Sequence, residues 1–60
     1  MENLKRLRKA KKVTQEKLAE MTGINRARLS MYEKGHQSPS VKTAYKIAQA
    51  LECTIDELVV

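Results

Sequence analysis

A single cysteine, Cys53, stands in the whole chain. No internal disulfide can form, so the fold must hold without covalent staples, and an oxidising compartment gains no support. Long apolar runs are missing too, and nothing approaches the roughly 20 apolar residues of a membrane span. The first thirteen residues carry charges throughout and lack the apolar centre of a secretory leader. These absences lead us to expect a soluble, cytoplasmic protein. Strand signals are scarce: β-branched residues are scattered, and no alternating run extends beyond a few residues. Reactive groups are scarce as well. His36 is the only histidine, and no set of four suitably spaced zinc ligands can be assembled around it. The sequence carries no nucleophile–base arrangement and no glycine-rich phosphate loop. The expectation is a non-enzyme with no metal, no cofactor and no small-molecule ligand, in which Cys53 fills core space between the last two helices.

What the chain does have is positive charge. Its 60 residues carry a formal net charge of +5, which favours a polyanionic partner. Lys5, Arg6, Arg8, Lys9, Lys11 and Lys12 face only Glu2 within residues 1–13, whereas residues 52–60 hold Glu52, Asp56 and Glu57 and no basic residue. One end is basic and the other acidic. Sixty residues are expected to form one domain over 1–60, near the lower size limit for a fold without staples. Such a domain buries only about 60% of the surface its unfolded chain exposes, so association with a second copy would add stability. No length remains for a ligand-sensing domain, so a signal is expected to come from concentration, a protein partner or degradation.

Helical spacing recurs along the chain. Over 2–11 it places Leu4 and Leu7 on one face, with Ala10 and then Val13 continuing inward. Thr14 is a good N-cap for a second helix over 15–22, with Leu18, Ala19 and Met21 as its apolar members. Gly23 fits the left-handed position that ends a helix. Asn25 caps a third helix over 26–34, closed by Gly35. Only Gly23, Ile24 and Asn25 separate helices two and three, which must therefore pack at a steep angle, the geometry of a helix-turn-helix. Pro39-Ser40 opens a fourth helix over about 41–51, with Val41, Ala44, Ile47, Ala48 and Leu51 inward. Thr54-Ile55-Asp56-Glu57 is a capping box for a fifth, with Ile55 and Leu58 pointing in.

Projected at about 100° per residue, helix three puts Leu29 and Tyr32 on the core side. Ala27, Ser30, Met31 and Lys34 fall on the opposite face, flanked by Arg26 and Arg28 at the N-terminal end. A helix with such a face fits the DNA major groove, about 12 Å wide, with its N-terminal residues reaching base edges. Arginine can bond guanine O6 and N7 together, while Ala27 and Met31 can pack on thymine methyl groups. Thr14 and Gln15 open helix two, where unpaired backbone N–H groups and the helix dipole favour a phosphate, held also by the Gln15 amide. His36, just past helix three, is placed for a further phosphate contact. Leu58-Val59-Val60 is an apolar finish that so small a core cannot cover alone, leaving Val59 and Val60 for a contact between copies.

The run Leu7-Arg8, Val13-Thr14-Gln15, Leu18-Ala19, Gly23-Ile24, Leu29-Ser30, Tyr32-Glu33-Lys34-Gly35, Pro39-Ser40, Thr43, Ile47-Ala48 and Leu51 resembles the phage repressor and Cro-type (XRE-like) helix-turn-helix family, in its order and spacing over nearly the whole chain. The resemblance implies a compact, all-α, five-helix, lambda-repressor-like DNA-binding domain. It also implies a reader in helix three, and a transcriptional repressor that binds a near-palindromic double-stranded operator as a homodimer. It assigns phosphate contact to Gln15, base-facing roles to Arg26, Ala27, Ser30 and Met31, and a backbone approach to Lys34. It pairs Arg8 with Glu33 as a partly buried ion pair tying helix one to the reader, and it puts the dimer contact in the C-terminal helix. Several members carry Gln or Ser where Arg26 and Ala27 stand here, so their operators do not transfer. Glu52 and Cys53 replace a common Gly and aliphatic residue. The same fold also serves antitoxins and restriction-modification controllers, which act with a regulatory protein partner. A protein-interaction module that has lost DNA binding should carry acidic residues on the reader face, and none stand there. A membrane-surface role for the basic first helix ranks last, because that helix lacks an aromatic wedge.

Overall fold

Side-chain caps decide where most helices of this chain begin. The computed structural model describes residues 1–59, and among them there is no strand. The helices are α1 (Leu4–Ala10), α2 (Gln15–Thr22), α3 (Arg26–Lys34), α4 (Val41–Ala50) and α5 (Ile55–Val59). Thr14 Oγ1 accepts from Lys17 N at 3.0 Å, Asn25 Oδ1 from Ala27 N at 2.7 Å, and Ser40 Oγ from Thr43 N at 3.2 Å. At α5 the capping box closes in both directions: Glu57 N donates to Thr54 Oγ1 at 3.1 Å, and Thr54 N donates to Glu57 Oε1 at 2.9 Å. Each such cap contributes about 1 kcal/mol.

The first helix is shorter than its sequence pattern predicts, and the reason is a competing contact. Asn3 makes no side-chain cap for α1. Its Nδ2 instead donates to Glu57 O at 3.0 Å, and its backbone N donates to Leu58 O at 2.9 Å. These bonds fasten the start of the chain to α5.

Each of α1 to α4 is followed by one left-handed residue: Lys12 (φ 60), Gly23 (φ 74), Gly35 (φ 77) and Glu52 (φ 54). After α1, Lys12 N bonds to Lys9 O and Val13 N to Arg8 O; after α4, Glu52 N bonds to Gln49 O and Cys53 N to Ala48 O. Both are the paired closing bonds of a Schellman end, reached without glycine.

The core is aliphatic, built on Leu4, Leu18, Leu29, Ile47, Leu51 and Leu58 around the buried ring of Tyr32. Burying each large apolar side chain contributes about 1.5–3 kcal/mol. Helix α2 packs on α3 and α4, while α1 packs on α3 and α5. Leu7, Val13, Ala19, Ile55 and Cys53 are half-buried at the margin of this core.

Two residues read as inward, Ala10 and Val41, lie outside, as does Met21, an apolar member of helix two. Ala10 is exposed because it ends α1, where the chain is already turning away. Met21 is 47% exposed on the last turn of α2, and Val41 is 79% exposed. Val41 shares the apolar stripe of α4 but occupies its first turn, beyond the reach of the buried cluster. Among the described residues no helix is long and apolar enough to cross a membrane.

Candidate nucleic-acid interface

Helix α3 separates its two faces sharply. Leu29 and Tyr32 are fully buried, whereas Arg26, Ala27, Arg28 and Lys34 are exposed and Ser30 and Met31 are half-exposed. The turn that delivers this helix is held locally. Thr22 Oγ1 donates to Leu18 O at 2.7 Å and accepts from Ile24 N at 3.2 Å, and Gly23 supplies the left-handed step. The start of α2 therefore lies beside the start of α3. A shallow cavity of about 290 Å³ between them is lined by Gln15, Arg26, Ala27 and Ser30. Thr14 sits exposed at the head of α2, with its hydroxyl engaged as the cap. A helix of this kind leaves first-turn N–H groups without an intrahelical partner, which favours an anion there. His36 is exposed beyond α3, and its backbone N donates to Met31 O at 3.0 Å.

Beneath this surface lies a buried polar network. Arg8 Nε donates to Glu33 Oε2 at 2.7 Å, Nη2 donates to Glu33 Oε1 at 3.4 Å, and Nη1 donates to Val13 O at 2.8 Å. The two side chains are only 9% and 5% exposed. Arg8 thus ties the loop before α2 and the body of α3 to α1. A third partner completes the set, since Gln15 Nε2 donates to Glu33 Oε1 at 2.9 Å. No buried side-chain polar atom among the described residues lacks a partner.

Sequence reasoning placed Gln15 and Arg26 at this surface and missed their link to the network. Gln15 Oε1 lies 3.5 Å from Arg26 Nε, and Glu16 Oε1 lies 3.7 Å from Arg26 Nη1. The only available signal was local: Gln15 and Glu16 occupy the first turn of α2, adjacent in the fold to the first turn of α3.

Away from α3 the exposed surface changes character. Val41, Tyr45 (57% exposed) and Val59 (44% exposed) are large apolar side chains open to solvent. Val41 and Val59 line a cavity of about 200 Å³ together with Met1, Pro39, Ala44 and Ile55. Val60, the other residue read as a contact between copies, lies outside the described residues. Nearby, burial pushes the Cys53 thiol above its ordinary pKa, the Glu57 carboxylate adds to this, and Lys11 opposes it. That direction disfavours the thiolate, the reactive form of cysteine. Among the described residues no group of His, Cys, Asp and Glu could hold a metal ion.

A short turn joining two packed helices, the second with an exposed face, defines the helix-turn-helix class. The Helix-turn-helix family model matches residues 4–58, and the chain belongs to that family. It is 42% identical over 57 residues to the HTH-type transcriptional regulator YqaE of Bacillus subtilis, covering 95% of this chain and 49% of the relative. Identity is also 42% over 57 residues to the cryptic phage CTXphi transcriptional repressor RstR of Vibrio cholerae, covering 95% and 51%. The HTH-type transcriptional activator BcrR of Enterococcus faecalis is 39% identical over 57 residues, covering 95% and 28%. The chain thus spans about half the length, or less, of these three relatives.

Proposed function

We propose that this chain is a cytoplasmic, sequence-specific double-stranded DNA-binding transcriptional regulator, acting as a repressor through one domain over residues 1–60. The observation that carries the reading is the exposed face of α3, where Arg26, Ala27 and Ser30 line a cavity against the head of α2. In this reading α3 enters the major groove, with Arg26 and Arg28 leading and Ala27, Ser30 and Met31 facing the bases. First-turn amides of α2, from Thr14 onward, meet the phosphate backbone. Lys34 and His36, at the far end of α3, meet it too. The network of Arg8, Glu33 and Gln15 holds the reader rigid. A repressor and an activator both stand among the relatives, and the reader face serves either sign of regulation. Repression follows directly from occupying a promoter.

The operator is bound by a homodimer. The patch of Val41, Tyr45 and Val59 supports this part of the reading, because an exposed apolar cluster on so small a domain favours a protein contact. A two-fold dimer presents two readers about 34 Å apart, one turn of DNA, and so selects a near-palindrome.

Selection of bound duplexes from a random library tests the proposal. The expected result is one enriched half-site repeated in inverted orientation, with centres about 10 base pairs apart. Recovery of unenriched sequence would overturn it.

A further inference from the structure

Sulfur is sparse in this chain, one cysteine and three methionines, and the fold gives each a different setting. Met1 is half-buried and packs against the core. Cys53 is half-buried at the margin of that core, and burial disfavours its thiolate, the form that attacks an oxidant. Met21 is 47% exposed at the end of α2, where it borders a cavity shared with Lys46 and Gln49 of α4. Of these sulfurs only that of Met31 belongs to the outward face of α3. Met31 is half-exposed, and among the described residues it is not one of the apolar side chains packed against the core. Ala27, Ser30 and Lys34 share its face, with Arg26 and Arg28 at the leading end. None of those side chains holds a group that a peroxide oxidises. The sulfur of Met31 is the one oxidisable atom on that face.

We propose that Met31 is a modification site through which a peroxide weakens sequence-specific DNA binding. This inference rests on the DNA-reading function proposed above. The Met31 sulfur lone pair attacks one peroxide oxygen, the O–O bond breaks and an S–O bond forms. The thioether is oxidised by two electrons to the sulfoxide, and hydrogen peroxide is reduced and leaves as water. A flexible apolar side chain becomes a polar one. In the free domain the new oxygen is solvated, because the position is open to water, and the fold is spared. Against an apolar base edge, such as a thymine methyl group, the same oxygen is stripped of water without gaining a partner. Phosphate contacts from charged groups and backbone amides are untouched, and they act on every DNA sequence alike. Oxidation thus removes preference and leaves charge-driven binding. A thiol-dependent sulfoxide reductase reverses the step.

The test treats wild type and Met31→Leu with hydrogen peroxide and compares each with its own untreated sample on a selected duplex and on a random duplex. Mass spectrometry locates the added oxygen, and circular dichroism confirms that the helices persist. Wild type oxidised at Met31 should lose at least about fivefold in affinity for the selected duplex, the effect of one polar group buried without a partner. Its affinity for the random duplex should stay within about twofold. Sulfoxide reductases for both epimers should restore the loss. Met31→Leu, oxidised equally at Met1 and Met21, should match its untreated sample. In a second arm the selected duplex should slow oxidation of wild-type Met31 and leave the rate at Met21 unchanged. Three results would each overturn the inference and leave the DNA reading standing: equal loss in the oxidised variant, full affinity of the Met31 sulfoxide, or no protection of Met31 by the duplex. A wild type that prefers no duplex would overturn both.

Discussion

The two exposed surfaces of this domain are built differently. On α3 the outward residues are small, polar or basic apart from Met31, and the side chains behind them are held by charge-assisted hydrogen bonds at 2.7–2.9 Å. On α4 and α5 the large outward residues Val41, Tyr45 and Val59 are apolar, and they border cavities instead of a network, Val41 and Val59 one and Tyr45 another. The first surface is organised to hold side chains in fixed directions, which a hydrogen-bonding partner requires. The second offers apolar area without direction, which suits burial against protein. The contrast supports the two proposed partners, DNA for the first surface and a second copy for the second.

The strongest way to break that contrast is to remove the network. Glu33→Ala should leave Arg8 buried and unpaired and cost about 3–5 kcal/mol, a large share of a small domain's stability. Urea denaturation followed by circular dichroism measures the loss. Replacing both partners with apolar residues, as in Arg8→Met with Glu33→Leu, should recover most of it. Similar stability of Glu33→Ala and wild type would mean that the pair does not support the reader.

The apolar surface is tested next. Val41→Asp with Val59→Asp should raise the dimer dissociation constant at least about a hundredfold, because each buried carboxylate carries a desolvation cost of several kcal/mol. Helicity should be unchanged, since Val41 is exposed and Val59 partly so. Analytical ultracentrifugation gives the assembly state. An unaffected double variant would place the contact elsewhere.

A smaller effect sharpens the reader side. Arg26→Ala should cost about 1–3 kcal/mol in operator affinity and relax the preference at one base pair. Competition binding against operator variants measures both quantities. An unchanged preference would move the reader's leading edge away from Arg26.

The helix ends give the smallest effects, and they bear on what could be read from sequence. Gly23 and Gly35 mark their helix ends openly, and an added Cβ would meet nothing within 4 Å at either. Gly23→Ala should therefore destabilise through backbone conformation alone, by about 0.5–1 kcal/mol once the left-handed penalty is offset by the chain entropy that alanine removes from the unfolded state. At Glu52 the same left-handed geometry is adopted by a residue with a side chain. Glu52→Gly should stabilise by about 0.5–1 kcal/mol, the left-handed penalty less the added chain entropy. Thermal melting of both variants should show shifts of opposite sign.

Those ends show why part of the structure was legible and part was not. Caps and turn glycines act through near neighbours, so Thr14, Gly23, Asn25, Ser40 and Thr54 announced their roles. The glycine usual in the family at Glu52 hinted at a left-handed residue, whereas Lys12 gave no such signal. The stripe of α4 was legible except at Val41, since periodicity gives a face but not the distance at which the core ends. Arg8 and Glu33 came from the family resemblance, 25 positions apart. The direction of the Gln15 amide was not legible at all, because it depends on a carboxylate brought alongside by the packing of α2 against α3.

In the proposed reading α3 reads DNA sequence on a surface that also neutralises phosphates. Titration of the protein against its selected operator and against a random duplex, over a range of salt concentrations, tests this most directly. If about four to six phosphates are neutralised per dimer, log affinity should fall against log salt with a slope of about −4 to −5. The random duplex should show a similar slope at weaker affinity throughout. An affinity that ignores salt, or equal affinity for both duplexes, would contradict the account.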